Sequence, residues 1–324
     1  MKAVVNRSYG TPEVLQIEMV DKPRPGDNDL LIRVRAAEAT KADCEMRSFK
    51  FAVKWFWLPL RIAIGLFKPR KIILGGYFSG EVEAIGRNVS KFSKGDQVFG
   101  SAGLGFGAYG EYICLLESCT IALKPGNLTH SEAAVVPLGG LNALHFMRLA
   151  HIRSGEKVLI NGAGGSIGTF AVQIAKSMGA EVTAVDSAIK EEMLRRIGAD
   201  HFFDYAKGHF SAGIQTYDVI FDMIADKSFS RCIAALNPGG RYLMGNPRLS
   251  DMIRSVITSK TTDKTVRFAF ARENLEELHA LKAMIEDGRI NPVLDRTFPM
   301  EQAGDAHRRV ESEERLGPIA IAID

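Results

Sequence analysis

The feature that most constrains this chain is the segment Lys157–Gly168, KVLINGAGGSIG, in which an apolar run leads into closely spaced glycines. The apolar, helix-forming segment Ile167–Met178 follows directly. A strand, a tight glycine turn and a helix together form the context that a dinucleotide-binding fingerprint requires, because glycines alone also occur in ordinary turns. The segment therefore predicts a βαβ unit that binds the phosphates of a dinucleotide.

The glycines of this turn have separate expected roles. The first supports the turn, the middle ones let the backbone approach a pyrophosphate, and the last allows the helix to pack closely on the sheet. The amides that begin the helix are expected to face the phosphates. The predicted cofactor-binding positions of the turn are Gly162, Gly164, Gly165, Ser166, Ile167 and Gly168.

Asp186 ends the second expected strand, 18 residues after Gly168. A carboxylate at this place accepts hydrogen bonds from the ribose hydroxyls, which favours NAD, and it repels the 2′-phosphate of NADP. Lys190 follows four residues later and would offset that repulsion. The use of both cofactors therefore stays open, as does the alternative that Asp186 only caps the next helix.

Strands and helices alternate from about residue 126 to residue 269. The expected strands are Lys157–Asn161, Glu181–Val185, His201–Asp204, Asp218–Met223, Arg241–Gly245 and Val266–Ala269. Six strands with helical connections predict an α/β fold with a parallel, doubly wound sheet. Before them, Thr129 and Glu132 fit a capping box, and the helix that they begin is expected to stop at Pro137 and to resume near Gly140.

The two ends of the chain have a different pattern. The first 125 residues contain short apolar segments separated by glycine and proline turns, which predict a mostly-β, barrel-like domain. The tail contains an amphipathic helix, Glu273–Asp287, and a final apolar strand, Ile319–Ile323. We expect this tail to return to the first domain.

Segments along the whole chain share their pattern with one family. They are Tyr9–Leu15, Lys22–Val34, Gly80–Gly86, Lys94–Gly100, Gly107–Tyr112, Asn161–Ala180 and Gly198–Tyr205. The chain resembles the medium-chain dehydrogenase/reductase superfamily and, within it, the zinc-free quinone oxidoreductase branch. The resemblance implies a GroES-like catalytic domain of residues 1–125 and 270–324, an inserted Rossmann domain of residues 126–269, and NAD(P)H in the cleft between them. We also expect the protein to form a homodimer.

The zinc ligands of related dehydrogenases are replaced here. Those enzymes bind a catalytic metal through a Cys, a His-Glu pair and a second Cys, and the resemblance places Thr40 at the first Cys and Gly76-Tyr77 at the pair. Thr and Gly are poor zinc ligands. We therefore expect no metal, and a hydrophobic quinone or activated carbonyl compound as substrate, because simple alcohol oxidation would lose its Lewis acid.

Three polar residues are candidates for stabilising the negative charge that develops on the substrate oxygen: Thr40, Tyr77 and Asn142. The resemblance places Asn142 near the nicotinamide, and it places Tyr205 near the cofactor ribose or phosphate. Gly245, at the end of the fifth strand, is also included among the cofactor-binding residues. The alternative for each catalytic candidate is an ordinary polar residue with satisfied hydrogen bonds.

Residues 50–71 are unusual because they contain six basic residues, no acidic residue and both tryptophans. Charges and a proline interrupt the segment, so we do not expect it to span a membrane, while contact with a membrane surface stays open. We expect Trp55–Leu58 and Phe67 to cover a hydrophobic substrate pocket or to pack at a subunit contact.

The composition narrows the remaining alternatives. A formal net charge of +3 on 324 residues argues against a dedicated nucleic-acid binder. Four cysteines and an N-terminus without a signal-peptide pattern favour a cytoplasmic protein. Two alternative functions stay open, an alkenal or enoyl double-bond reductase and a non-enzymatic, NADPH-binding, membrane-associated protein.

Overall fold

The computed structural model describes residues 1–51, 57–212, 215–224, 228–269 and 273–323, without the side chains of residues 57–59 and 104. Trp55 and Phe56, which we expected to cover a pocket or a subunit contact, lie outside the described residues, and the side chains of Trp57 and Leu58 are not described. The chain divides into two compact units. The first contains Met1–Leu138, Glu273–Glu286 and Pro292–Asp324, and the second contains Gly139–Arg272 and Asp287–Asn291.

The secondary-structure elements are numbered along the chain. The strands are β1 (Lys2–Asn6), β2 (Leu15–Met19), β3 (Asp29–Ala39), β4 (Tyr77–Ile85), β5 (Gln97–Ser101), β6 (Tyr112–Leu116), β7 (Ile121–Leu123), β8 (Lys157–Asn161), β9 (Glu181–Asp186), β10 (His201–Asp204), β11 (Tyr217–Asp222), β12 (Leu236–Met244), β13 (Thr265–Phe268), β14 (Arg296–Pro299) and β15 (Ile319–Ala322). The helices are α1 (Lys41–Ser48), α2 (Trp57–Ile64), α3 (His130–Ala134), α4 (Val136–Ala150), α5 (Ser166–Ser177), α6 (Glu191–Arg196), α7 (Phe229–Ala234), α8 (Leu249–Thr261), α9 (Leu275–Glu286) and α10 (Ala303–Glu311).

The first unit is built on short strands, as the spacing of its turns predicts. Within the described residues, β14, β15, β3, β4, β5 and β7 follow one another in a sheet, β6 also pairs with β3, and β1 and β2 form a separate antiparallel pair. Side chains such as Ile32, Phe78 and Val98 form its core. The C-terminal strand β15 pairs antiparallel with β3, so the tail of the chain completes this unit.

The second unit contains the predicted parallel sheet. Its described strands lie in the order β10-β9-β8-β11-β12-β13, and every neighbouring pair is parallel. This is the strand order of a doubly wound, dinucleotide-binding sheet. The central strands are continuous apolar runs because both faces of the sheet are covered, and Val158, Ile160, Val219 and Phe221 are fully buried.

The start of the helical region was predicted in part. The capping box is confirmed: the Glu132 N–H donates to Thr129 Oγ1 over 3.3 Å, and the Thr129 N–H donates to Glu132 Oε2 over 2.8 Å. The prediction that the helix stops at Pro137 is wrong. Helix α3 already ends at Ala134 and α4 begins at Val136, so the proline lies in a first helical turn, where its missing N–H removes no hydrogen bond.

Among the helices of the described ranges, none has both the length and the apolar character that crossing a bilayer needs.

Candidate functional site

The glycine turn joins β8 to α5 at the carboxyl edge of the parallel sheet. Gly162 has a φ of +84°, a conformation that glycine adopts readily. A Cβ on Gly168 would lie 2.3 Å from the carbonyl oxygen of Gly162, so the helix approaches the turn too closely for a side chain. Since the first N–H groups of α5 have no acceptor within the helix, this end can bind a phosphate.

Asp186 connects the end of β9 to the glycine turn. Its Oδ2 accepts a hydrogen bond from the Gly164 N–H over 2.7 Å, and its Oδ1 accepts one from the Ser187 N–H over 2.8 Å. Lys190 Nζ lies 2.9 Å from Oδ1, and both side chains are more than nine-tenths buried. The carboxylate therefore joins the glycine turn to the residue that follows β9.

The Lys190 side chain lies directly over the glycine turn. A Cβ on Gly164 would come within 2.3 Å of Lys190 Cδ, so a larger residue there would displace the Lys190 side chain from this position. The ammonium group and the Asp186 carboxylate compensate each other's charge in a buried position. The edge of the sheet that would receive the adenosine ribose therefore carries one negative charge, on Asp186, and one positive charge, on Lys190.

The other predicted cofactor-binding residues also lie near carboxyl ends of strands. Tyr205 follows β10 and is 59% exposed. Gly245 follows β12, and its N–H donates to the carbonyl oxygen of Asp222 over 2.8 Å.

In α4, a Cβ on Gly139 would lie 2.3 Å from the Ser166 carbonyl oxygen, so this helix packs against the start of α5. Asn142, which is half-buried, follows Gly139 by three residues and lies on the same helical face.

Asp222, at the carboxyl end of β11, is a buried residue that the sequence analysis did not single out. Its Oδ1 accepts hydrogen bonds from Asn161 Nδ2 and the Ile224 N–H, both over 2.9 Å, and its Oδ2 accepts one from Tyr242 Oη over 2.8 Å. Burial raises the pKa of Tyr242, and the negative charge of Asp222 raises it further. The phenol therefore stays protonated and donates, and the network ties together the carboxyl ends of β8, β11 and β12.

In the first unit, Thr40 forms the N-cap of α1. Its Oγ1 accepts a hydrogen bond from the Asp43 N–H over 3.0 Å and donates to Asp43 Oδ2 over 2.6 Å. The Asp43 Oδ1 accepts from the Gly75 N–H over 3.0 Å. Thr40 is 2% exposed. Its hydroxyl is therefore bonded to Asp43 and fixes the carboxylate that holds the segment just before β4.

Asp43 belongs to a buried polar cluster that also contains Tyr109 and His307. Burial raises the pKa of Asp43, while hydrogen bonds from Thr40 and Gly75 oppose that change. Tyr109 Oη lies 3.1 Å from His307 Nε2. Burial is the main cause that lowers the pKa of His307 to about 3, so its imidazole is neutral at physiological pH.

Tyr77 begins β4 and pairs with Ser101 of β5 in the sheet register. The side chain is half-buried. Burial raises the pKa of its phenol, and the nearby carboxylates of Glu273, Glu38 and Asp43 raise it further, so the group is a protonated hydrogen-bond donor at neutral pH. A Cβ on the preceding Gly76 would meet no heavy atom of the described residues within 4 Å, which leaves room beside the backbone.

Ser101 and Glu273 are two further polar residues near Tyr77 that sequence reasoning missed. The Ser101 hydroxyl donates to the Glu273 carboxylate, and the Gly103 N–H donates to Ser101 Oγ over 3.0 Å. The two partners are 172 residues apart in the chain. No local spacing predicts their contact, because it depends on the tail returning to the first unit.

The residues at the expected zinc positions do not form a ligand set. Thr40 is buried and bonded to Asp43, and Gly76 has no side chain. Within the described part of the chain, no group of three or more His, Cys, Asp or Glu side chains is arranged to hold a metal ion. Zinc-independence stays a prediction that metal analysis has to test.

Comparison with known proteins identifies the family. Residues 26–125 match the alcohol dehydrogenase GroES-like domain, and residues 197–321 match the zinc-binding dehydrogenase family. A quinone oxidoreductase of Sus scrofa is 30% identical over 96% of this chain and 94% of its own length. An NADPH-dependent alkenal/one oxidoreductase of Arabidopsis thaliana is 28% identical over 99% of this chain and 79% of its own length.

The structure of a quinone oxidoreductase from Coxiella burnetii matches with a TM-score of 0.88 at 27% identity, covering 100% of this chain and 99% of that one. The chain belongs to the medium-chain dehydrogenase/reductase superfamily, in its quinone oxidoreductase-like branch. It is an oxidoreductase with a nicotinamide cofactor, built from a GroES-like and a Rossmann domain.

The buried histidine of the Asp43 cluster predicts a pH dependence of stability. The pKa of His307 is lowered from 6.5 to about 3, so the folded state binds the proton more weakly than the unfolded state does. The contribution of neutral His307 to the free energy of unfolding is fully present above pH 6.5, and it is lost as the pH falls towards 3. Lowering the pH from 7 to 5 decreases the free energy of unfolding of the wild type. We expect this decrease to be about 2 kcal/mol smaller in His307→Gln.

Urea unfolding at both pH values measures this difference. The matched control is His279→Gln, since His279 is exposed. Its free energy of unfolding should decrease between the two pH values by as much as that of the wild type. Equal losses in His307→Gln and the wild type would contradict a neutral His307.

Proposed function

We propose that the protein is a metal-independent, NAD(P)H-dependent reductase of quinones or related activated carbonyl compounds. The observation that carries the proposal is Tyr77, a protonated phenol among acidic groups at a position where zinc-containing relatives have a metal ligand. A phenol donates a hydrogen bond to a developing oxyanion, whereas a buried Thr40 and Gly76 offer no Lewis acid. Relatives that are named quinone oxidoreductases support the substrate class.

Each candidate residue then has a role in the reduction. When bound, the cofactor supplies the hydride. The glycine turn and the N-terminus of α5 bind its pyrophosphate, and Asp186 accepts from the ribose hydroxyls. Tyr77 donates to the substrate oxygen as negative charge develops, and a proton from water completes the reduced product.

The remaining candidates orient these groups. Thr40 acts as a positioning residue, because it fixes Asp43, whose other oxygen holds the Gly75 N–H two residues before Tyr77. Asn142 is assigned to the nicotinamide end of the cofactor, since its helix packs at the start of α5. Tyr205 and Gly245 are assigned to the ribose and phosphate region.

A substrate panel on chelator-treated protein tests this function. We expect turnover of benzoquinone or phenanthrenequinone with NAD(P)H, weaker or comparable turnover of 2-alkenals, and none of simple alcohols, with no stoichiometric zinc by metal analysis. Tyr77→Phe should lower kcat/KM for the quinone by about tenfold to a hundredfold because one oxyanion donor is lost. Tyr112→Phe, a half-buried tyrosine of β6, is the matched control and should stay near the wild type.

Several results of the panel would contradict the proposal. A tightly bound zinc ion whose removal abolishes turnover would place the enzyme with the metal-dependent dehydrogenases. Preference for alkenals over every quinone would favour the double-bond reductase, the activity named for the Arabidopsis relative. An absence of any turnover, with intact cofactor binding, would favour a non-enzymatic role.

The cofactor preference is proposed to be dual, because the Asp186–Lys190 pair offers a carboxylate for NADH and an ammonium group for the 2′-phosphate of NADPH. Asp186→Ser removes the repulsive charge and releases Lys190. We expect the ratio of kcat/KM for NADPH to that for NADH to rise by about tenfold, which corresponds to about 1.4 kcal/mol.

The matched control for this change is Asp200→Ser, since Asp200 also pairs with a lysine, Lys176, over 2.7 Å but precedes β10 at its amino end. Steady-state kinetics with both cofactors measures the ratio. An unchanged ratio in Asp186→Ser would mean that the carboxylate holds the turn without facing the ribose.

The expected homodimer is supported by one surface of the second unit. Helix α8 exposes Leu249, Ile253, Val256 and Ile257, each between 48% and 58% accessible. The adjoining β13 is an edge strand, with a neighbouring strand on only one side among the described residues. A second copy fits this surface because a two-fold axis can pair the same edge strand with itself.

The cytoplasmic location remains a proposal from cysteine usage.

Light scattering of the full chain should give twice its mass of 35.5 kDa. Ile253→Asp should shift it to the monomer because it buries a charge in the contact. Ile17→Asp, at an exposed isoleucine of β2, is the control. A monomeric wild type at micromolar concentration would rule out this assembly.

A further inference from the structure

Three apolar side chains are exposed where helix α2 ends, and we call them the apolar tip. Ile62 is 55% accessible, Leu66 48% and Phe67 86%, the last being among the most exposed large apolar residues of the described chain. We expected Phe67 to cover a hydrophobic substrate pocket or to pack at a subunit contact, and that expectation stays a prediction. Contiguous exposed apolar patches mark protein or membrane interaction sites, whereas single exposed apolar residues are ordinary on a protein surface.

A tight turn after α2 projects the tip outward. Gly65 has a φ of +136°, and a Cβ there would lie 2.0 Å from the Lys68 carbonyl oxygen, so only glycine can make the turn. The Tyr9 hydroxyl donates to the Gly65 carbonyl oxygen over 2.8 Å. The Arg70 N–H donates to the Ile64 carbonyl oxygen over 2.8 Å and closes the turn.

Arg61 also holds the backbone of the tip in place. The guanidinium carbon lies 4.2 Å from the ring centroids of both Tyr9 and Phe49. Arg61 Nε donates to the Leu66 carbonyl oxygen over 2.8 Å. These contacts hold the backbone of the tip in place before any partner binds, so docking would cost little conformational entropy.

Three basic residues directly follow the tip in the chain. Lys68, Arg70 and Lys71 are all exposed. Their side chains form no ion pair with an acidic residue in the part of the chain that the structure describes. Residues 50–71 contain six cations and no acid, whereas the chain as a whole has a formal charge of only +3, so the remaining residues sum to a negative charge.

We propose that the apolar tip and its three cations dock on an anionic lipid bilayer. Apolar side chains that enter the region between headgroups and acyl chains, combined with cations at headgroup level, form the two-part signal that peripheral membrane binding requires. The negative charge of the remaining chain favours one orientation on such a surface. The inference rests on the described tip and is independent of the proposed catalytic function.

Vesicle flotation of the full-length chain tests the proposal. We expect binding to vesicles of phosphatidylcholine mixed with phosphatidylglycerol, weaker binding to phosphatidylcholine alone, and a decrease with added salt. Phe67→Ser should lower the partition coefficient by about tenfold or more because apolar burial is lost. The double variant Lys68→Glu/Lys71→Glu should lower it by at least about tenfold and remove the preference for anionic vesicles.

The matched controls are Met19→Ser, a 75% exposed apolar residue of β2, and Lys94→Glu, an exposed lysine outside the segment. Both should bind like the wild type, and circular dichroism checks that every variant is folded. Failure of the wild type to bind anionic vesicles would overturn the proposal, as would binding that the tip variants leave unchanged. A change of oligomeric mass in Phe67→Ser, with unchanged vesicle binding, would instead make the tip a contact between copies of the chain.

Discussion

The buried contact between Asp186 and the glycine turn is the interaction on which the proposed dinucleotide site depends. One carboxylate accepts the N–H groups of Gly164 and Ser187 and pairs with Lys190, so it joins the end of β9 to the turn after β8. A carboxylate in such a position would be costly without these partners. With them, the turn is held in place by its own N–H groups, since Gly164 donates to Asp186 and both Gly162 and Ala163 donate to the Val185 carbonyl oxygen.

A second buried carboxylate, Asp43, has the same organising role in the first unit. It joins the Thr40 cap of α1 to the Gly75 N–H, and this fixes the backbone that leads into Tyr77. Burial raises the pKa of the Tyr77 phenol, and the neighbouring carboxylates raise it further, so the group is protonated at neutral pH. This is the arrangement on which the proposed role of Tyr77 as a donor to the substrate oxygen rests.

The sequence predicted what depends on local pattern. The parallel strands were found because burial of both faces of a sheet requires apolar runs. The glycine turn was found because Gly162 has a positive φ that favours glycine and Gly168 leaves no room for a side chain. Contacts between distant segments were not predictable. The Ser101–Glu273 bond joins residues far apart in the chain, and Asp222 becomes recognisable only when β8 and β12 are known to be its neighbours. Pro137 was misread because proline ends a helix in its interior but not in its first turn.

The central claim is that these residues use a bound nicotinamide to reduce an electron-poor carbonyl compound without metal. A single-turnover experiment tests it most directly. Protein treated with chelator and loaded with one equivalent of NADPH is mixed with a quinone in a stopped-flow instrument, and the nicotinamide absorbance is followed. The account predicts that about one cofactor per chain is oxidised in a rapid exponential phase. No oxidation, or oxidation that returns only after zinc is added, would contradict it.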